Sequence, residues 1–476
     1  MIVYSDREET VDTHSFAARV RAASDPQERL ILEGQFEAGV ADALCPEIDD
    51  EVDLCRVVLP ELITIRKPEG YAFYSLYPEL YRDAALRFLR EHTPRFCLVI
   101  GIRSIGASLS RVVAEAVHAT SRFTVRPHGH PFDRHIRLSR ALEDRVRAHI
   151  PQGWFLIVDE GPGLSGSSFM SVATKLEELG VPRNRIVLFP SHEPNPDDFV
   201  SERARKNWRR YLRYVEPFPP HRFVPRGAED ISGGAWRSKL YSDDVSYPAV
   251  HPYHERRKYL HDGHMWKFAG LAHFGREKYD RALRLKEFCP PVRCVDNGFM
   301  VTGWIPAQPA TLTDGLLDAM ARYLAFLRAE FATGQDIPAE ALQDMIEANT
   351  ARRVEAPLEG VVVAVDGRML PKEWLQTEHG YLKTDAVDHH DDHFFPGCQD
   401  IAWDIAGAAV EWGFPVEALA DRFLRLVRDP TLYARLPFYR TAYCAYRYGY
   451  CQLALDALGD SPDGRRFRLL QWRYAL

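Results

Sequence analysis

The chain has 476 residues, of which 46% are hydrophobic and 27% charged, with a formal net charge of −7. This composition is typical of a globular protein, and the acidic balance argues against a nucleic-acid-binding surface spread over the whole molecule. At roughly 150 residues per domain, the length predicts two or three domains.

The amino terminus, MIVYSDREETVDTHSF, lacks the basic segment and apolar run of a signal peptide. No stretch approaches the ~18 continuous apolar residues of a membrane helix. The eight cysteines form no CxxC pair, which favours reduced thiols over a disulfide framework. We therefore expect a cytoplasmic protein with small-molecule partners and without membrane or nucleic-acid contact; the sequence leaves its oligomeric state open.

From about residue 90 to 195, apolar strands alternate with helical patterns. The predicted strands are FCLVIG (96–101), RFTVRP (122–127), WFLIVD (154–159) and IVLFPS (186–191), and the predicted helices cover 109–119, 140–149 and 167–179. Alternation at this spacing predicts βαβ units and a parallel sheet.

A proline-rich stretch between about 192 and 230 marks the predicted domain boundary. The strand-like pieces beyond it are GAWRSKLYS, RRKYLHDG, MWKFAGL and FMVTGWI, and long helical runs follow from Leu312. Strands followed by helices predict an α+β domain. We therefore expect an α/β domain over residues 1–210 and an α+β domain over 211–476.

The segment WFLIVDEGPGLSGSS places two acids, Asp159 and Glu160, at the carboxyl end of a strand. That edge is where open α/β sheets bind ligands. A glycine-serine loop at a helix N-terminus suits a phosphate, because its free amides and the helix dipole both favour an anion. The acids would accept hydrogen bonds from neighbouring sugar hydroxyls or hold Mg²⁺, so ribose 5-phosphate fits both parts.

These residues resemble the phosphoribosyl pyrophosphate (PRPP) signature of type I phosphoribosyltransferases, although four residues separate the acids from Ser-Gly where that family has three. The resemblance implies a catalytic role for Asp159 and Glu160 at the ribose hydroxyls, with Asp159 also near Mg²⁺. It places Ser165, Gly166, Ser167 and Ser168 around the 5-phosphate. Residues 1–90 would form the hood for the acceptor and 91–195 the PRPP-binding core.

Two further segments fit the same resemblance. LVIGIRSIGASLSRVV (98–113) is similar to the pyrophosphate loop, with Arg103 and the amides of Ser104 to Gly106 on the leaving pyrophosphate. TVRPHGHPFDRHIRLS (124–139) falls where the family places a mobile basic flap. The flap residues that would close over the anion are Arg126, His128, His130 and Arg134.

Two other interpretations stay open for this half. The acid pair and glycine turn also fit a flavodoxin-like or other nucleotide-binding turn without transferase chemistry. The predicted hood also contains an aromatic cluster, Tyr71, Phe73 and Tyr74. These rings either stack on a base of the acceptor or belong to the hydrophobic core.

The segment from Met265 to Pro309 has a lysine within a strand, then a helix, then a strand ending in Gly-Trp-Ile-Pro. It resembles the small lobe of aminoglycoside- and choline-kinase-like phosphotransferases. The resemblance implies Lys267 on the ATP phosphates, Glu277 as its helix partner and a hinge at 303–305, with Trp304 beside adenine. The small lobe would span about 225–310, with ISGGAWRSKLY (231–241) as its covering turn, and the helical large lobe about 311–476.

In the large lobe, the resemblance implies Asp385 as the Mg²⁺ ligand and Asp404 as the residue that steadies the catalytic loop. DGRMLPKEWL (366–375) departs from the family, because Arg368 falls at the general-base position and Glu373 at the metal-binding Asn. Arginine cannot accept a proton at neutral pH, so Asp366 is the expected substitute.

The run DAVDHHDDHF also permits a transition-metal site, or it is a solvated loop near Mg²⁺. Its metal-binding side chains are Asp388, His389, His390, Asp391, Asp392 and His393.

Together these features predict a PRPP-dependent phosphoribosyltransferase that uses Mg²⁺ and catalyses glycosyl transfer, or its reverse, at C1 of a ribose 5-phosphate. An appended ATP-dependent, kinase-like domain would act on a related ribosyl or nucleotide compound. The alternative is a regulatory protein that senses PRPP or a nucleotide and carries a pseudokinase lobe, an interpretation that Arg368 favours.

Overall fold

The computed structural model describes residues 8–357, 359–392 and 394–475. The chain divides into two compact units. The amino-terminal unit extends to Arg222 and includes Gly270–His273, whereas the carboxyl-terminal unit comprises Phe223–Ala269 and the chain from Phe274 onward. The architecture is mixed α/β and contains a parallel sheet. The boundary expected at residues 210/211 lies shortly before the observed division.

The strands of the amino-terminal unit are β1 (Glu8–Asp12), β2 (Leu62–Arg66), β3 (Phe96–Ile102), β4 (Ser121–Val125), β5 (His128–His130), β6 (Asp133–His135), β7 (Gly153–Val158), β8 (Ile186–Phe189) and β9 (Leu212–Arg213). Its helices are α1 (Thr13–Ala22), α2 (Pro26–Leu44), α3 (Glu69–Ala72), α4 (Pro78–His92), α5 (Gly106–Ala116), α6 (Arg140–His149), α7 (Ser167–Glu178) and α8 (Glu202–Asn207), and the short helix α9 (Pro220–Phe223) follows.

The parallel sheet has the strand order β4-β3-β7-β8-β9. The central strands β3 and β7 are continuous apolar runs and are almost completely buried, as strands covered by helices on both faces require. Gly101 of β3 pairs with Val158 of β7. The loops that follow these two strands therefore leave the sheet at the same edge. The parallel sheet predicted from the βαβ alternation is present.

A separate antiparallel hairpin, β5–β6, lies within the segment expected to form the flap. Its register pairs His128 with His135 and His130 with Asp133. Gly129 has a φ of +91°, a conformation that side-chain-bearing residues rarely adopt.

The strands of the carboxyl-terminal unit are β10 (Glu229–Asp230), β11 (Lys258–His261), β12 (His264–Phe268), β13 (Val292–Asp296), β14 (Phe299–Gly303), β15 (Gln308–Pro309), β16 (Val362–Val363), β17 (Trp374–Thr377), β18 (Gly380–Lys383) and β19 (Gln399–Asp400). Its helices are α10 (Arg237–Leu240), α11 (His273–Arg284, whose first residue belongs to the other unit), α12 (Asp314–Glu330), α13 (Ala339–Thr350), α14 (Ala402–Trp412), α15 (Val416–Leu426), α16 (Leu432–Leu458) and α17 (Pro462–Arg473).

Five of these strands form an antiparallel sheet in the order β10-β11-β12-β14-β13. The helices α12 to α17 pack around a large core that includes Trp403, Tyr443 and Tyr446. Two small sheets, β15-β17-β18 and β16-β19, interrupt the predicted helical run. Within the described residues, no helix is both long and apolar enough to cross a bilayer.

One predicted strand-like piece, GAWRSKLYS, forms a turn followed by α10 instead. Gly233 and Gly234 have φ angles of +59° and +87°. Positive φ at two successive residues turns the chain and prevents an extended strand.

Candidate functional sites

The amino-terminal unit has a polar cavity of about 640 Å³. Loops that follow β3, β4 and β7 contribute to its walls, so it lies at the edge of the sheet where the sequence predicts a ligand. Its charged lining residues are Glu8, Asp42, Arg66, Lys67, Glu69, Arg103, Arg126, Arg134 and Glu160, together with His128.

The two acids after β7 are partly buried, and Glu160 lines this cavity. Oδ1 of Asp159 accepts a hydrogen bond from the backbone N–H of Glu160 at 2.8 Å. Burial raises the pKa of Asp159 to about 7. Burial, with the nearby charges of Glu69 and Asp159, raises the pKa of Glu160 to about 8. A ligand that brings hydrogen-bond donors or a cation would therefore stabilise the charged form of both carboxylates.

The serine loop and the β5–β6 hairpin are in contact. Gly166 has a φ of +63° and precedes the first residue of α7. Ser167 Oγ donates to the carbonyl of Pro131 at 2.6 Å, and Arg134 Nη1 donates to Ser168 Oγ at 3.2 Å. Residues 165–168 are not part of the lining of the 640 Å³ cavity. A phosphate in this loop would have to replace the Pro131 carbonyl.

Arg103 and Arg126 are held by acids of the protein. The Arg103 side chain is 1% exposed and forms ion pairs with Asp49 and, at 3.3 Å, with Asp42. Arg126 Nε donates to Asp42 at 3.1 Å, and its Nη2 lies 3.3 Å from Ser104 Oγ. The two arginines differ in exposure, because the Arg103 side chain is 1% exposed and that of Arg126 is 16% exposed. Arg103 therefore presents almost no surface to the pyrophosphate that it is expected to bind. Asp42 lies in α2 and Asp49 in the loop after it, and neither belongs to a motif that would predict these ion pairs.

Gly106 has a packing role at the start of α5. A Cβ at this position would lie 2.6 Å from the carbonyl oxygen of Val158, far inside the normal contact distance. Only glycine lets α5 approach the end of β7 this closely.

The aromatic cluster expected in the hood is mostly core. Tyr71 and Phe73 are buried, and the Tyr71 hydroxyl lies 2.8 Å from Ser108 Oγ. Tyr74 is 36% exposed. The core interpretation therefore fits Tyr71 and Phe73.

The carboxyl-terminal unit has two adjoining cavities. The smaller one, here called the slot, has a volume of about 150 Å³ and contains the apolar side chains Met265, Met300, Trp304, Ile305, Leu375 and Val387. The larger one, the charged cavity, has a volume of about 570 Å³. Both are lined by Glu255, Lys258, Lys267, Lys372, Glu373 and Asp385, so an apolar space opens directly into a charged one.

Lys267 of β12 is buried in the wall common to both cavities. Its Nζ pairs with Asp385 and lies 3.1 Å from Asp388 Oδ2, while Arg256 Nε contacts the same Asp388 oxygen at 2.8 Å. Burial alone would raise the pKa of Asp385, but Lys267 and His389 hold it well below its ordinary value. The expected partner Glu277 is on the exposed side of α11 instead. The buried acids after β18 neutralise Lys267 in its place.

The loop 366–373 is fixed by Asp404 of α14. Its two carboxylate oxygens accept hydrogen bonds from the backbone N–H groups of Asp366 and Gly367, both at 2.8 Å. Burial and the nearby Asp366 raise the pKa of Asp404 to about 7. This contact sets which loop residues face the cavities.

Asp366 is not placed to be the general base. It is 1% exposed, accepts a hydrogen bond from Tyr323 at 2.7 Å and pairs with Lys383 at 3.0 Å. It lines neither cavity. Arg368, by contrast, lines the charged cavity and pairs with Asp392 at 3.0 Å. The side chain expected to substitute for the base is therefore occupied in the interior.

Within the part of the chain that the structure describes, two groups of metal-binding side chains share His389. One consists of Asp366, Glu373 and His389, and the other of Asp385, Asp388 and His389. Burial alone would lower the pKa of His389, but Glu373 and Asp385 outweigh it and raise it to about 9. Carboxylate oxygens outnumber the single imidazole in each group, and oxygen ligands suit Mg²⁺.

Two further metal expectations concern Asp159 and His393. Among the described residues, Asp159 belongs to no group of three metal-binding side chains. His393, part of the predicted histidine run, lies outside the described residues.

No family model matches the sequence, and no curated protein matches it. Among solved structures, the chain is similar to a choline/ethanolamine kinase family protein from Mesorhizobium loti, with 17% identity, a TM-score of 0.31, and coverage of 50% of this chain and 96% of that chain. It is similar to choline kinase LicA from Streptococcus pneumoniae, with 13% identity, a TM-score of 0.31, and coverage of 46% of this chain and 89% of that chain. It is also similar to a macrolide 2′-phosphotransferase type I, with 14% identity, a TM-score of 0.31, and coverage of 50% of this chain and 91% of that chain. These low scores do not by themselves define a function.

Replacing Glu160 by glutamine tests the electrostatic strain at the first site. The pKa of Glu160 rises on folding from 4.5 to about 8. Ionising Glu160 therefore costs more in the folded state than in the unfolded state, and the free energy of unfolding falls as pH increases through that interval. We expect Glu160→Gln to unfold like the parent near pH 5. At pH 9 it should be more stable by about 1–2 kcal/mol, after allowance for solvent screening. Urea unfolding at the two pH values measures this.

The exposed Glu178→Gln at the end of α7 is the matched control and should show no such pH dependence. Equal stability of the parent and Glu160→Gln at pH 9 would contradict the raised pKa.

Proposed function

We propose that the carboxyl-terminal unit is a kinase-like unit that binds Mg-ATP in the slot and transfers its γ-phosphoryl group to a hydroxyl in the charged cavity. The observation that carries this proposal is the buried Lys267, paired with Asp385 and Asp388, at the point where an apolar slot opens into a charged cavity. Transfer of a phosphoryl group depends mainly on positioning and charge stabilisation, which such a wall supplies.

Adenine would occupy the slot between Met265, Met300 and Trp304, because a flat, weakly polar ring matches its apolar lining. The phosphates would then extend past Lys267 into the charged cavity. Asp385 and Glu373 would hold Mg²⁺, which neutralises phosphate charge when bound. Trp304 and Lys267 keep the roles that the resemblance implies, whereas Glu277 does not.

The proton of the acceptor hydroxyl needs a base other than Arg368. Asp392 lines the charged cavity and is held by Arg368 at 3.0 Å. We assign it the role of accepting that proton while the hydroxyl oxygen attacks the γ-phosphorus and the bond to ADP breaks. The Arg368 guanidinium would then orient the base instead of acting as one.

A second candidate function is nucleotide binding without phosphoryl transfer, which would make this a pseudokinase unit in a regulatory protein. Arg368 at the general-base position favours it. Binding of Mg-ATP with no phosphorylated product, for any acceptor, would support this alternative.

For the amino-terminal unit we propose PRPP binding, with the phosphoribosyl group transferred to an acceptor as pyrophosphate leaves. In support, Glu160 lines a cavity that also contains Arg126 and Arg134, and Asp159 precedes it at the strand end. Ser104, in the loop after β3, and Arg126, in the segment expected to form the flap, would contact the pyrophosphate. The loop 165–168 would accept the 5-phosphate once the β5–β6 hairpin releases Ser167.

Asp385→Asn tests the nucleotide site, because it removes the charge of a metal ligand at constant size. We expect at least a tenfold loss of Mg-ATP affinity, which corresponds to about 1.4 kcal/mol. Isothermal titration calorimetry measures it, and circular dichroism checks the fold. Lys286→Ala, at an exposed lysine of the same unit, is the control. Unchanged affinity of Asp385→Asn would contradict the proposed site.

PRPP binding is tested with Asp159→Asn combined with Glu160→Gln. The parent should bind PRPP in a titration and release pyrophosphate with at least one nitrogenous base, whereas the double variant should lose both by tenfold or more. Glu178→Gln should behave like the parent. Failure of the parent to bind PRPP at millimolar concentration would remove the transferase proposal.

A further inference from the structure

Five arginines line the charged cavity beyond the slot. Arg256 is paired with Asp388 at 2.8 Å. The other four are Arg368 in the loop 366–373, Arg447 in α16, and Arg466 and Arg473 in α17. We call these four the arginine wall. None of them lines the slot. The guanidinium groups therefore surround the space left for a second substrate.

The positive charge near this wall exceeds the negative charge available to neutralise it. Glu411 lies 3.1 Å from Arg447 Nε and 3.9 Å from an Arg473 nitrogen, so one carboxylate serves two guanidinium groups. The same carboxylate accepts hydrogen bonds from Tyr443 at 2.6 Å and Tyr474 at 2.8 Å. This one carboxylate therefore faces two guanidinium groups while it also accepts hydrogen bonds from two tyrosines.

Arg466 and Lys372 add to the excess. Arg466 reaches Asp463 at 3.3 Å, but Asp463 also binds Arg237 at 2.7 Å. Lys372 makes no hydrogen bond or ion pair within the described residues, and its Nζ lies 5.6 Å from the centre of the Trp236 ring. Lys267, by contrast, already has two carboxylates.

A buried histidine in the same cavity gives an independent indication of a ligand. His251 is 5% exposed and lines the charged cavity, yet neither of its ring nitrogens has a hydrogen-bond partner among the described residues. Its ring stacks on His254 at a centroid distance of 3.5 Å. A buried imidazole without partners is costly, so a polar ligand in the cavity would satisfy it.

We propose that the second substrate in the charged cavity is a phosphomonoester, an organic alcohol that already carries a phosphate group, and that the arginine wall binds this phosphate. The inference rests on the proposed nucleotide site. Planar guanidinium groups on several sides match the fork geometry of a phosphate better than that of a neutral or cationic ligand. A 5-phosphoribosyl compound, the class that the amino-terminal unit is proposed to make, belongs to these substrates.

The chemical step leaves the bound phosphate unchanged. A free hydroxyl of the phosphomonoester forms a bond to the γ-phosphorus of ATP, the bond from that phosphorus to ADP breaks, and the hydroxyl proton passes to Asp392. The product carries two phosphate groups.

The test is calorimetry on the full-length protein with Mg²⁺ and a saturating non-hydrolysable ATP analogue. The probes are ribose and ribose 5-phosphate, glycerol and glycerol 3-phosphate, inorganic phosphate, and succinate. We expect each ester to bind at least tenfold more tightly than its neutral parent, inorganic phosphate and succinate. Arg466→Gln and Arg473→Gln should each weaken ester binding by tenfold or more at unchanged affinity for the ATP analogue.

Arg468→Gln is the matched control, because Arg468 is on α17 but lines neither cavity. Equal binding of esters and their neutral parents, with normal binding of the ATP analogue, would overturn the phosphomonoester assignment and leave the nucleotide site intact. Equal binding of succinate or inorganic phosphate would overturn it as well.

If the ATP analogue does not bind, the proposed nucleotide site fails. Ester binding that still depends on Arg466 and Arg473 would then support the anion site alone. Absence of ester binding would overturn both.

Discussion

The carboxyl-terminal unit depends on a cluster of buried charges that must neutralise one another. Lys267 meets Asp385 and Asp388, while Lys383 meets Asp366 at 3.0 Å and Glu373 at 2.9 Å. A buried charge without a partner is strongly destabilising, so these pairs fix strand β12 against the segment after β18, and strand β18 against the loop 366–373. Asp404 completes the constraint by holding the backbone of that loop.

The same constraint divides the site into regions with different chemistry. Beside Lys267 the slot is apolar, and beyond it the charged cavity has more cations than carboxylates to balance them. A nucleotide fits the junction, since its base suits the slot and its phosphates suit the lysine. The arginine wall then favours an anionic second substrate. In the amino-terminal unit the situation is reversed. Arg103 and Arg126 are paired, whereas Asp159 and Glu160 form no ion pair within the described residues and have raised pKa values.

Local sequence patterns predicted much of the parallel sheet and parts of both sites. The strands β3 and β7 and helix α6 follow from apolar runs and periodicity, and Lys267, Asp385 and Asp404 were found from their motif context. The acids Asp42 and Asp49 were missed, and Asp388 was expected as a metal ligand and not as a partner of Lys267, because ion pairing between distant segments leaves no local signal. The burial of Asp366 and the exposure of Glu277 could not be predicted for the same reason, because both depend on the assembled fold.

The most direct measurement is a crystal structure of the protein grown with Mg²⁺ and a non-hydrolysable ATP analogue. The account predicts adenine between Met265, Met300 and Trp304, phosphates beside Lys267, and Mg²⁺ on Asp385 and Glu373. An empty slot, with the nucleotide absent or bound elsewhere on the chain, would contradict it.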